Sequence, residues 1–117
     1  MGQGMQVIVY PVKDVARAKA IFGKLLGMEP TNDSPYYVGY TIGGVGGQEI
    51  GLDPNGHAAG MTGPVTFTEV PDIRRALKAL LDAGATLHQD VKDVGGGKLV
   101  ATVKDPDGNT IGVMQSA

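Results

Sequence analysis

Shifted along itself by 58 positions, the 117-residue sequence places Val12, Asp14, Val15, Ala18 and Phe22 on Val70, Asp72, Ile73, Ala76 and Leu80. Shifted by 61, it places Thr41, Gly47, Ile50, Gly51 and Leu52 without a gap on Thr102, Gly108, Ile111, Gly112 and Val113. Such a repeat means that one supersecondary unit occurs twice. Within the first copy, Val7 to Tyr10 is a β-rich run ended by Pro11, which cannot donate to a sheet. Asp14 then starts a helical stripe of Val15, Ala18, Ile21, Phe22, Leu25 and Leu26 that stops before Gly27. After a polar break at 31–35, Tyr36 to Ile42 and Gln48 to Asp53 read as strands joined by a glycine-rich hairpin from Gly43 to Gly47.

The second copy follows the same order. Pro64 to Val70 reads as a strand, and Asp72 caps a helix striped by Ile73, Ala76, Leu77, Leu80 and Leu81 that ends at Gly84. Strands are expected near Thr86 to Val91, Lys98 to Lys104 and Asn109 to Gln115, with Asp105-Pro106-Asp107-Gly108 as the last turn. The fold class is therefore α+β: two βαβββ modules in tandem, about 5–53 and 64–115, joined by a Gly- and Ala-rich hinge at 54–63 within a single domain spanning 1–117.

Composition narrows the function. Leu, Ile, Val and Phe supply 29 residues, enough for a folded core at this length without a disulfide or structural metal. The absence of cysteine excludes iron–sulfur clusters, Cys-ligated zinc and thiol nucleophiles. A net charge of −2 gives no footprint for a nucleic acid, and no apolar run is long enough to span a bilayer. The start Met1-Gly2-Gln3-Gly4 lacks the basic flank of a signal peptide, so the default expectation is a cytoplasmic protein.

Val12-Lys13-Asp14-Val15, Leu25-Leu26-Gly27-Met28 and the terminal Asp105-Pro106-Asp107-Gly108-Asn109 ahead of Ile111 resemble the vicinal-oxygen-chelate superfamily, the glyoxalase, bleomycin-resistance and dioxygenase group. The resemblance covers about Val7 to Gln115 and implies curled, cup-shaped mixed sheets, with a metal ligand on each of four strands in the enzymes. Carried over singly, those four positions fall on Val7, Gly51, Pro64 and Gly112, none of which has a donor side chain. No metal and no cofactor are therefore expected. The resemblance then implies the antibiotic-sequestering branch: a cup that holds a small planar or amphipathic organic molecule, in a two-fold homodimer whose modules complete each other's cups.

Strand alternation gives a candidate lining. If Ile50, Leu52, Val65, Phe67, Ile111 and Val113 face the helices, then Val7, Val9, Glu49, Gly51, Thr66, Thr68, Thr110, Gly112 and Met114 line the cup, with Tyr36, Tyr37 or Tyr40 at a wall. The bland alternative is the wet side of a half-exposed sheet. The paired glycines Gly51 and Gly112 suggest close approach of a ligand to the backbone, or else a sheet bend. Glu49 is the weak catalytic candidate for a lyase, isomerase or dioxygenase alternative, because Glu69 shares the parity of Phe67. A protein-interaction or regulatory module is the second alternative. His57 and His88 read as surface residues, and Gly95-Gly96-Gly97-Lys98 lacks P-loop spacing.

Overall fold

The computed structural model describes residues 4–43 and 47–117. Its elements run β1 (Met5–Pro11), α1 (Val15–Leu26), β2 (Asn32–Ser34), β3 (Tyr37–Ile42), β4 (Gln48–Asp53), β5 (Val65–Glu69), α2 (Ile73–Asp82), β6 (Thr86–Asp93), β7 (Leu99–Lys104) and β8 (Thr110–Gln115). The chain is a mixed α+β structure of two compact units, one of residues 6–65 and one of residues 66–117 with residues 4–5. The hairpin expected between Gly43 and Gly47 falls largely on residues 44–46, outside the described residues; its flanks pair, with Ile42 opposite Gln48.

In the first unit the strand order is β2-β3-β4-β1, antiparallel except for the parallel pairing of β1 with β4. The short β2 occupies the stretch expected to be a polar break, because pairing with β3 recruits Asn32, Asp33 and Ser34 into the sheet edge. Asp14 caps α1 by accepting the Arg17 N–H at 3.0 Å, and Gly27 ends it in the left-handed region at φ 65°, where a side chain would be strained. Ala18, Val38, Tyr40 and Leu52 form the core under α1, flanked by Tyr10, Val15, Phe22 and Leu26. Ile21 and Leu25, expected on the packed stripe, are 64 % and 71 % exposed: the face turned to the sheet is the narrower Val15–Ala18–Phe22–Leu26 row.

The expected hinge is a hydrogen-bonded turn. Ala59 N–H donates to the Asn55 carbonyl and Met61 N–H to that of Gly56. Gly56 is buried, and a Cβ there would lie 2.7 Å from Pro11 Cβ and 2.9 Å from Met61 Sδ, so this connector packs onto the end of β1.

In the second unit the order is β5-β8-β7-β6, again with one parallel pair, β5 with β8. Val70, Ile73, Ala76, Leu77, Ala101, Val103 and Val113 make its core. The α2 N-terminus is fixed twice: Asp72 accepts the Arg75 N–H at 3.2 Å, and Gln115 Oε1 on β8 accepts the Ile73 N–H at 2.8 Å. Asp72→Ala is expected to cost about 1 kcal/mol by removing a cap, read as a lower urea midpoint with an unchanged m-value. No helix among the described residues is long and apolar enough to cross a membrane.

Candidate functional site

The registers decide which side chains share a face. In the first unit Val38 is opposite Leu52 and Tyr40 opposite Ile50, on the side of α1. Alternation then puts Tyr37, Gly39 and Thr41 on the other side, beside Glu49, Gly51 and Asp53, with Val7 next to Glu49 and Val9 next to Gly51. Val7, Val9, Glu49 and Gly51 thus share one strand face, as expected.

The tyrosines divide. Tyr37 is half-buried on that face, and its hydroxyl donates to Glu49 Oε2 at 2.5 Å. Tyr40 belongs instead to the core under α1, fully buried, with its hydroxyl donating to the Lys19 carbonyl at 3.4 Å. Tyr36 is 82 % exposed in the turn between β2 and β3, so neither it nor Tyr40 forms a wall of this face. The same turn fixes Tyr37: Ser34 Oγ accepts the N–H groups of Tyr36 and Tyr37 and donates to the Tyr37 carbonyl.

Burial pushes the Tyr37 phenol far above its ordinary value, helped by the Glu49 hydrogen bond and by the charges of Glu49 and Asp53. It is therefore a protonated donor at every ordinary pH, and Glu49 is its acceptor. Asp53 on the same face is engaged by the connector, accepting the Asn55 N–H at 2.8 Å.

The glycines have a specific role. A Cβ added at Gly51 would lie 1.9 Å from Tyr37 Oη and 2.5 Å from Cζ; at Gly39 it would lie 3.2 Å from Tyr37 Cε2. The Tyr37 ring lies across these two paired glycines and fills the space that Gly51 was expected to leave for a ligand. In the second unit a Cβ at Gly112 would lie 2.5 Å from Phe67 Cδ1, so the Phe67 ring covers Gly112 in the same way. Both gaps are filled from a neighbouring strand.

Phe67 also corrects the parity of β5. It pairs with Gly112 and Thr68 pairs with Val113, a core residue under α2. Side-by-side residues of a parallel pair share a face, so Thr66 and Thr68 point to the helix side, while Val65, Phe67 and Glu69 share the opposite face with Thr110, Gly112 and Met114. The expectation failed because both faces of β5 are apolar near its ends: Val65 is buried on one, and Val70, just beyond the strand, packs under α2 on the other. Glu69 does share the face of Phe67 and is engaged by Ser116, whose N–H and hydroxyl both donate to its carboxylate.

Sequence reasoning missed Gly39 and the ring of Phe67; the signal available was an aromatic two residues along the strand from a glycine, as Tyr37 is from Gly39, or directly opposite one, as Phe67 is to Gly112. His88 meets buried Thr102 through Nδ1 at 3.1 Å, while His57 is exposed in the connector turn. Asp105 is consumed by its own turn: hydrogen bonds from Asn109 hold its carboxyl below the ordinary range. An open depression beside the end of α1, lined by Lys19, Lys24, Met28 and Glu29, lies away from the strand face; Lys19 there is paired with Asp33 at 2.7 Å.

The family's four metal positions do not fit an ion. Val7, Gly51, Pro64 and Gly112 offer no donor, and two of them are overlaid by aromatic rings. Among the described residues there is no group of three or more His, Cys, Asp or Glu side chains placed to hold a metal.

The family model of the Glyoxalase/Bleomycin resistance protein/Dioxygenase superfamily matches residues 4–113. No curated protein matches the sequence. Solved structures similar to this chain include a glyoxalase/bleomycin resistance protein/dioxygenase superfamily member from Vibrio splendidus 12B01, with TM-score 0.70 and 19 % identity over 97 % of this chain and 100 % of that one. Methylmalonyl-CoA epimerase from Mycobacterium tuberculosis gives 0.73 and 14 % over 99 % and 89 %. A protein described as NAD-dependent benzaldehyde dehydrogenase from Legionella pneumophila gives 0.73 and 16 % over 95 % and 98 %. At such identities the likeness speaks for the fold, and the differing activities in these descriptions show that the fold does not choose the chemistry.

Proposed function

Because the chain belongs to the Glyoxalase/Bleomycin resistance protein/Dioxygenase superfamily, we propose that it binds a small organic molecule on the strand face of its first module without a side-chain-held metal, as in the sequestration of an antibiotic or another secondary metabolite. The observation that carries this reading is the Tyr37–Glu49 pair, a half-buried polar contact on the face that the helix-side core does not use. Val9 beside it is half-buried and supplies apolar area, and Val7 is buried beneath the pair. An apolar surface with a few directed polar groups is what a small-molecule site requires.

The test is a thermal-shift panel of aromatic natural products and metabolites, followed by amide-shift mapping of any hit. Binding to the native state alone raises the melting temperature by mass action. Hits are expected to shift Val7, Val9, Gly39 and Gly51; hits that shift only amides outside the first module overturn the assignment. A second reading, proton transfer by Glu49 in an enzyme, is favoured by the half-buried place of its carboxylate on this face. Incubating each hit with the protein separates the two: an unaltered compound recovered after many equivalents have been exposed supports sequestration, and turnover lost in Glu49→Gln supports the enzyme.

A further inference from the structure

Resting on the reading of the first module as a small-molecule site, we propose that its strand face selects ligands that bring a positive charge of their own, an amine or amidine on an apolar body, and discriminates against carboxylates. A site organised around a protein-held cation attracts anionic oxygens. Here that polarity is reversed. The β4 position where the family's resemblance places an oxygen ligand is Gly51, and the space above it is filled by the Tyr37 hydroxyl, which carries a proton where an ion would need a donor. That proton is directed at Glu49 Oε2, so it is not available to an incoming anion.

Charge on the surrounding strands points the same way. β1, β2, β3 and β4 contain no Lys, Arg or His, and their acidic residues are Asp33, Glu49 and Asp53. Asp33 pairs with Val38 on the helix side and is bound to Lys19. Asp53 caps the connector turn. Glu49 is left as the carboxylate that meets a ligand, with Oε2 held by Tyr37 and Oε1 beside Gly39, 3.6 Å from where a Cβ there would stand. Fixing one oxygen orients the other, and a charge-assisted hydrogen bond from an ammonium or amidinium is the strongest contact it can accept. Tyr37 stays a protonated donor because burial holds its phenol neutral, so its proton remains directed at Glu49. Val9, half-buried next to Gly51, places apolar surface on this face for the body of such a ligand, while Val7 next to Glu49 is buried and backs the carboxylate.

The experiment uses matched pairs: tryptamine against indole-3-propionate, phenethylamine against 3-phenylpropionate, and benzamidine against benzoate, titrated by calorimetry and amide shifts at low ionic strength. The expected result is at least one amine or amidine binding about tenfold tighter than its carboxylate partner, the size of one charge-assisted hydrogen bond. Glu49→Gln is expected to erase the ratio, and Tyr37→Phe to weaken the amine by severalfold by releasing Glu49. Carboxylates that bind as well as their amines at the amides of Val7, Val9 and Gly51 overturn the charge preference and leave the module a binding site. A ratio unchanged in Glu49→Gln overturns the role of Glu49. If all six compounds, and the natural-product panel, fail to move those amides, the reading of the module falls along with the preference.

Discussion

Gly51→Ala is expected to lower the melting temperature by roughly 10 °C or more, a large effect for one methyl group. A Cβ at this position would stand 1.9 Å from Tyr37 Oη and 2.5 Å from Cζ, far inside contact distance. Neither group yields easily: Gly51 is buried and hydrogen-bonded between β1 and β3, and the Tyr37 backbone is tied by Ser34. The ring must leave, which breaks its bond to Glu49. Overpacking costs about 1–3 kcal/mol, and losing a hydrogen bond to a charged group about 1.5–3 kcal/mol. For a domain near 100 residues each kcal/mol lowers the melting temperature by about 4 °C or more. Adding Tyr37→Ala to Gly51→Ala is expected to cost less than the sum of the two single changes, because the second substitution removes the clash created by the first. Strict additivity, or a Gly51→Ala protein melting within about 2 °C of the parent on the same scale, would show that the ring does not occupy this space. Gly112→Ala against Phe67→Leu repeats the cycle in the second unit.

The duplication, both capped helices and the order of most strands were legible because local rules govern them. Asp14 and Asp72 are capping residues at the same place in each repeat, and Gly27 ends α1 in the conformation that glycine favours. What local rules did not fix was the direction of each face. Alternation assigns residues to two sides of a strand but names the core side only where one side is polar. It succeeded on β4, where Ile50 and Leu52 alternate with Glu49, Gly51 and Asp53. It failed on β5, where Val65 and Phe67 are more apolar than Thr66 and Thr68 and yet face away from α2. Tyr40 shows the same limit: its ring is the largest fully buried side chain among the described residues, and the hydroxyl that made it a candidate for a wet wall is satisfied by the Lys19 carbonyl. The glycines were recognised as sites of close approach, but the approaching group comes from an adjacent strand of the same unit. A strand glycine exposes backbone that a neighbouring aromatic can cover, and that needs no ligand.

Raising the pH above about 10 is expected to destabilise the protein more steeply than its Tyr37→Phe variant. Tyr37 has an ordinary value of 10.0 in the unfolded chain, and in the folded protein burial, the bond to Glu49 and the nearby charges of Glu49 and Asp53 all raise it. Below pH 10 the phenol is protonated in both states, so its contribution to stability is complete. As pH climbs beyond 10, the unfolded chain releases this proton while the folded chain retains it. Protons bound in the native state then exceed those bound in the unfolded state, so stability falls by about 1.4 kcal/mol for each pH unit. The other alkaline groups, including buried Tyr40 and half-buried Lys19, titrate in both proteins and cancel in the comparison. Urea unfolding of the two proteins at intervals from pH 8 to 11 isolates Tyr37 as the change in their stability gap, which is expected to be flat up to about pH 9.5 and to narrow by roughly 1 kcal/mol by pH 11. A gap that stays constant over that range would mean that the phenol ionises in the folded protein as readily as in the unfolded chain. Tyr37 would then be open to water, and Glu49 would lack the fixed donor that aims its second oxygen.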